Sequence, residues 1–265
     1  MAVMDPALLA DGGLRLEVEG SVATVVLDRP EARNAQTPAT WAALAAVGDT
    51  LHPSVRVVVL RGEGPSFCGG LDRRMLTPEG VPGGTSFARL LELDDDALAD
   101  RIAGFQRGFS WWRRPDRVTI AAVHGHAIGA GFQLALACDL RILADDAQLC
   151  MREPALGLVP DLGGTQPLVE IVGYARALEM VATTRFVGAD EAAALGLATA
   201  VVPGSDLLDA VRDLAAALVA APHGAVSATK ELLLAAGGRS YDEQLRAERL
   251  AQVGRLRAMA AGTSV

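Results

Sequence analysis

The stretch HGHAIGAGFQLALACD, residues 124–139, sets Gly125, Gly129 and Gly131 ahead of an apolar run. A strand ending near Val123, a glycine turn and a helix opening at GAGFQLALA would leave backbone N–H groups unbonded, with the positive end of the helix dipole pointing out of the turn. Such a place binds an oxyanion or a phosphate. A second glycine turn stands in GPSFCGGLDRR, where Gly69 and Gly70 precede Leu71 and Asp72. Two such turns, if they converge, aim two N–H groups at one oxygen; taken singly, each is also what any tight turn uses. A dinucleotide loop is not supported, because Leu134 stands three residues after Gly131, where G-x-G-x-x-G needs glycine. The amide of Gln133, one turn inside the helix, neither gains nor loses a proton near neutral pH, so it can orient a group but not act as a base. Two carboxylates, Glu153 and Asp161, lie eight residues apart in EPALGLVPDLGG. Each also has a plain reading, Glu153 as an exposed ion pair with Arg152 and Asp161 as a turn residue after Pro160. Asp72 reads as a cap or salt-bridge partner. His124 and His126 show no ligand spacing, so no metal is expected. The absence of G-x-S-x-G and of GxxxxGK removes the standard hydrolase and NTPase readings.

These residues need elements to hold them. The chain has 265 residues, of which 51% are hydrophobic, enough for one large core with an appendage. Val-rich segments at 21–30, 55–64 and 118–127 predict strands, each running into turn residues and then a helix-like stretch. An insertion from 73 to about 114 holds the loop TPEGVPGG and a helical stripe of Leu98, Ile102, Phe105, Phe109 and Trp112. That stripe is either core or a wall over an apolar ligand. From about residue 204 the pattern is helical only, so the chain divides into a main unit, 1–204, and a helical unit, 205–265. A formal net charge of −8 and a pI near 5.0 disfavour nucleic acid. Cys68, Cys138 and Cys150 form neither a CxxC pair nor an even set, which suits small core residues in a reducing compartment. MAVMDPALLADGG lacks a basic n-region and an apolar h-region, and there is no uncharged apolar run of membrane-spanning length. A soluble cytoplasmic protein with no membrane partner is therefore expected.

Five ordered segments carry a family resemblance over nearly the whole chain. LDRPEARNA (27–35), FCGGLD (67–72), HGHAIGAGFQLALACDLRI (124–142), EPALGLVPDLGGTQ (153–166) and GADEAAALGLATAVVP (188–203) resemble, in order and spacing, the crotonase superfamily of enoyl-CoA hydratases and isomerases. The resemblance implies an α/β spiral of ββα turns followed by a C-terminal helical trimerisation unit. It implies an acyl-CoA thioester as substrate, with coenzyme A entering as part of it and no separate cofactor. It also implies a homotrimer or a dimer of trimers.

Carried over by position, the backbone N–H groups of Leu71 and Ala130 would grip the thioester oxygen. Gly69, where the family often has Ala, is a mild departure. Arg29, Arg33, Cys68, Gly70 and Lys230 fall where coenzyme A is held. Hydratases of the family use two glutamates, at the positions of Gln133 and Glu153, so Gln133 turns the reading away from simple hydration. Asp161 stands where hydratases usually have Gly. The Glu153 and Asp161 pair is similar to that of the dienoyl-CoA isomerases, although those carry an acid at the position of Gln133; aromatic dehalogenases share only Asp161, as a nucleophile. The resemblance thus favours double-bond isomerisation by proton shuttling between Glu153 and Asp161. Hydration of a 2-enoyl-CoA by Glu153, with Gln133 positioning water, is the alternative. A non-catalytic acyl-CoA binding protein is a third reading, though it has no need of the two acids.

Overall fold

Residues 4–83 and 85–262 are described by the computed structural model. Its strands are, in chain order, β1 (Leu14–Glu19), β2 (Val22–Leu27), β3 (Val57–Gly62), β4 (Val118–Val123), β5 (His126–Ile128), β6 (Leu140–Ala144), β7 (Gln148–Cys150), β8 (Val187–Gly188) and β9 (Ala200–Val202). The larger sheet runs β1-β2-β3-β4-β6-β9 and the smaller β5-β7-β8. β1 pairs antiparallel with β2, and β7 with β8; all the other strand pairs are parallel. One register column crosses Leu16, Val25, Leu60, Ala121 and Arg141.

The Val runs are explained by the period of two. In β3, Val58 and Leu60 enter the main core, whereas Val57 and Val59 enter a second core on the other face. A strand buried on both faces has no solvent side on which to place polar residues. The 118–127 segment, expected as one strand, is two: β4 stops at Val123, the chain turns at Gly125 (φ 54°), and β5 joins the smaller sheet. Cys68, beyond β3, bridges to Ala127 in the same way. Successive turns of the chain thus lay one strand in each sheet before a helix follows, which is a spiral of ββα units.

The helices are α1 (Pro6–Asp11), α2 (Pro38–Thr50), α3 (Phe87–Leu90), α4 (Asp95–Ser110), α5 (Ala130–Ala137), α6 (Thr165–Val172), α7 (Tyr174–Thr183), α8 (Ala189–Ala194), α9 (Leu207–Ala220), α10 (His223–Ala236) and α11 (Tyr241–Ala260). Thr37 and Thr40 form a capping box at α2, with Pro38 at its first position. α4 carries the expected stripe as far as Phe109, and Trp112 falls in the following 3-10 turn, Trp111–Arg113. Only Phe109 and Trp112 of that stripe are buried; Leu98, Ile102 and Phe105 are half-buried, with Phe105 on the Trp41 ring at 4.7 Å.

α5 lies wholly inside the protein. At its C-terminal end the buried Arg141 guanidinium donates to the carbonyls of Cys138 (2.6 Å), Ala135 (3.3 Å) and Asp139 (3.3 Å). α9 packs Leu207, Val211 and Ala215 onto the larger sheet. α10 is anchored through Lys230, and α11 packs along α10 and buries none of its own residues. No helix among the described residues is long and apolar enough to cross a membrane.

Candidate active site

The two glycine turns meet. Gly70 has φ 91°, and a Cβ there would lie 2.6 Å from the Ile128 carbonyl oxygen and 3.9 Å from the Ala130 nitrogen. A Cβ on Gly131 would lie 2.6 Å from the Cys68 carbonyl oxygen. Glycine is needed at both positions because another backbone occupies the space where a side chain would begin.

Peptide planarity then fixes two donors. In a trans peptide the C=O and N–H point in opposite directions. The Gly70 carbonyl accepts from the Gln36 N–H at 2.7 Å, so the Leu71 N–H of the same peptide faces away from that loop. Likewise the Gly129 carbonyl accepts from the Gln133 N–H at 2.9 Å, so the Ala130 N–H points out of the α5 N-terminus. Neither N–H has an acceptor among the described residues. Two unbonded donors on touching turns, one at a helix N-terminus, can receive a carbonyl oxygen that gains negative charge.

Glu153 opens a 3-10 turn after β7 that Gly157, at φ 73°, ends. Its carboxylate reaches the same place, for a Cβ on Gly129 would lie 3.2 Å from Oε1 and 3.5 Å from Oε2. Oε1 accepts from Gln133 Nε2 at 2.6 Å, whereas Oε2 is buried without a partner. Burial pushes the Glu153 carboxyl above its ordinary range, the negative Asp161 adds to this, and the Gln133 bond opposes it. Burial raises Asp161 as well. A carboxyl whose surroundings raise it above the ordinary carboxylate range is a better proton acceptor than a free one and can return the proton it takes.

Gln133 links the Glu153 carboxylate to the loop that carries Asp161. Its Oε1 accepts from the N–H groups of Leu162 (2.9 Å) and Gly164 (3.2 Å), and a Cβ on Gly164 would lie 2.7 Å from its Cγ. The amide therefore spans from Glu153 to the loop that carries Asp161. Gln106 of α4 secures the same loop by donating to the Asp161 carbonyl at 2.6 Å.

Beside the turns, Arg29, Arg33, Leu71, Arg74, His126 and Ile128 line an open cavity of 530 Å³. Arg33 faces it in the left-handed region at φ 50°. Arg29 braces the wall, donating to the Ala35 carbonyl (2.9 Å) and to Asp72 (3.1 Å). Asp72 also pairs with Arg74 at 2.6 Å and is drawn down to about 2 by its arginines.

Three residues expected to hold coenzyme A are committed elsewhere. Cys68 is fully buried; its Sγ donates to the Asn34 carbonyl at 3.0 Å, both its backbone groups are bonded to β5, and burial pushes its thiol up to about 11. Gly70 spends its carbonyl on Gln36 and its N–H on Cys68 Sγ (3.4 Å), so its task is the turn. Lys230 is buried, with Nζ on Asp139 Oδ2 and the Arg117 carbonyl, each at 2.7 Å. That lies below the start of β4, at the opposite end of the strand from the glycine turn.

Sequence reasoning passed over Asn34, Gln36 and Gln106. Asn34 adopts φ 56°, accepts from the Arg29 N–H and donates to the carbonyls of Glu63, Ser66 and Phe67, which stitches the first loop to the second glycine turn. Its signal was present: an Asn in a loop, among the residue types that tolerate a left-handed backbone.

Comparison with known proteins agrees with this geometry. A family model described as enoyl-CoA hydratase/isomerase matches residues 17–254. A carnitinyl-CoA dehydratase of Proteus mirabilis is 35% identical over 233 residues, covering 87% of this chain and 83% of that protein. An (E)-benzylidenesuccinyl-CoA hydratase of Thauera aromatica is 34% identical over 219 residues, 82% of this chain and 80% of that one. Among solved structures, a Thermobifida fusca protein assigned as an enoyl-CoA hydratase, in complex with acetoacetyl-CoA, is 53% identical, with a TM-score of 0.93 over 96% of this chain and 98% of that one.

Proposed function

We propose that this chain, which belongs to the enoyl-CoA hydratase/isomerase family, is an acyl-CoA enzyme that shifts a carbon–carbon double bond through an enolate. Leu71 and Ala130 donate their N–H groups to the thioester oxygen. Glu153 takes a proton from C2 through Oε2, the oxygen that Gln133 leaves bare. The electron pair moves onto the thioester oxygen, where the two donors and the α5 dipole stabilise it by several kcal/mol. A proton then returns at C4 of a 3-enoyl thioester, or at C6 of a 3,5-dienoyl thioester, from Glu153 or Asp161. Proton count and charge balance with no other reactant. One observation carries this reading: the Glu153 carboxylate lies against the Gly129 turn that bears the Ala130 donor and feels the charge of Asp161, while the third position is an amide whose oxygen is already bonded.

The names of the relatives favour a second reading, reversible hydration, in which Glu153 works on water or on a C3 hydroxyl. Incubation with 2-enoyl-, 3-enoyl- and 3,5-dienoyl-CoA in deuterated water separates the two. Isomerisation yields products of unchanged formula carrying deuterium at C4 or C6. Rapid addition of water to the 2-enoyl substrate, with the other two untouched, would replace the first reading by the second.

For the assembly we infer a trimer or a dimer of trimers. Leu233, Tyr241, Leu250, Val253, Leu256 and Met259 leave a broad apolar strip exposed on α10 and α11, and such strips mark protein contacts.

A further inference from the structure

Gln36 has no solvent exposure. A buried amide is retained only where its polar groups are bonded, and every polar atom of this residue is. Its Oε1 accepts from Trp41 Nε1 at 2.7 Å. Its Nε2 faces Cys68 Sγ at 3.3 Å and donates to the Ala130 carbonyl at 3.4 Å. Its main-chain N–H holds the Gly70 carbonyl at 2.7 Å, and its carbonyl accepts from the Asp72 N–H at 2.9 Å. The orientation of the amide is not arbitrary. An indole nitrogen only donates, so Trp41 obliges the amide oxygen to face it and the NH2 group to face the turns.

One residue therefore holds both turns. Its main chain grips the peptide that carries the Leu71 N–H, and its side chain grips the residue that carries the Ala130 N–H. We propose that Gln36 is a positioning residue that fixes the spacing of these two donors and so sets how strongly they polarise a bound carbonyl. The inference rests on the reading of those donors as the seat of the thioester oxygen. Spacing matters because the donors must lie about 2.7–3.1 Å from the oxygen as charge develops, and a hydrogen bond weakens steeply away from good geometry. Elsewhere the turns meet through the backbone contacts of Gly70 and Gly131 and the β5 pairing of Cys68; Gln36 adds a side-chain link directly to Ala130, anchored on α2.

The test uses butyryl-CoA labelled with carbon-13 at the thioester carbonyl, bound to the full-length protein, with the C=O stretch read by isotope-edited infrared spectroscopy. In the parent protein the stretch should fall below its value in water. In Gln36→Met, which keeps the length but loses the amide, at least half of that fall should disappear. Turnover should drop about tenfold, a fraction of the loss seen when one donor is removed outright, while the butyryl-CoA dissociation constant changes less than threefold. Trp41→Phe keeps Gln36 but frees its amide to rotate. It should lose part of the same shift, and it carries the test if Gln36→Met does not fold. A full shift and full turnover in both variants would overturn the role of Gln36. No shift in the parent would overturn the donor reading itself, and this proposal with it.

Discussion

Glu153 is the residue on which pH should act. Its folded carboxyl is raised above the unfolded value, chiefly by burial. The stabilisation this represents belongs to the protonated form; it is fully present below the unfolded pKa and is lost as pH rises through the folded pKa. Glu153→Gln should therefore melt like the parent below about pH 4 and at a higher temperature near neutrality, in thermal scans across pH. Turnover moves the other way, because only the ionised carboxylate accepts a proton: the parent's acid limb should lie above the ordinary carboxylate range. Glu153→Gln and Asp161→Asn should each lower isomerisation at least about a hundredfold, the usual scale for a general acid or base. The residual activity of Asp161→Asn should also show its acid limb at lower pH, since a negative neighbour has gone. A silent Asp161→Asn would leave that residue only a turn. The sequence made the oddity of Gln133 legible, but not its use. Its bonds to Leu162 and Gly164 span 29 and 31 residues, and no local pattern reports a contact at that range.

At the level of the elements, the donors belong to the main chain and tolerate changes of side chain. Leu71→Ala should keep turnover within about tenfold, about 1.4 kcal/mol. Ala130→Pro removes an N–H at the first position of α5, where proline fits a helix; steady-state assays should find turnover down at least about a hundredfold with the melting temperature little changed. Lys230 has the opposite profile. Lys230→Met leaves the half-buried Asp139 without its cation, though still bonded to Thr119, and should cost about 1–3 kcal/mol in denaturant unfolding, with activity per folded molecule unaltered. The core strands β2, β3 and β4 were legible because a strand buried on both faces writes a continuous Val run. The strands of the smaller sheet, two or three residues each, are too short to show a period. Their pairing depends on the spiral, which brings Gln148 beside both His126 and Gly188. Lys230 was misread for a related reason: a lysine on a helical stretch carries no mark of the carboxylate it will meet 91 residues away.

For the whole molecule, the exposed strip on α10 and α11 predicts association: light scattering at micromolar concentration should give three or six copies, and an active monomer would refute this. Charge at this scale is divided. The chain carries −8 overall, yet Arg29, Arg33 and Arg74 line the cavity, and on the proposed acyl-CoA reading these local cations attract the polyanionic coenzyme A. Such attraction between exposed charges fades as salt is added. The inner end of the site obeys a different law. A helix ordinarily presents equal and opposite partial charges, about half a unit at each end, whose fields largely cancel at a distance. In α5 the Arg141 guanidinium offsets the carbonyl end, leaving the amide end at Ala130 to act more nearly as a single positive charge, and Ala130 is only 5% exposed, so salt screens it little. The two halves of the reaction should then answer differently to ionic strength: kcat/KM should fall across a potassium chloride series, while kcat stays level.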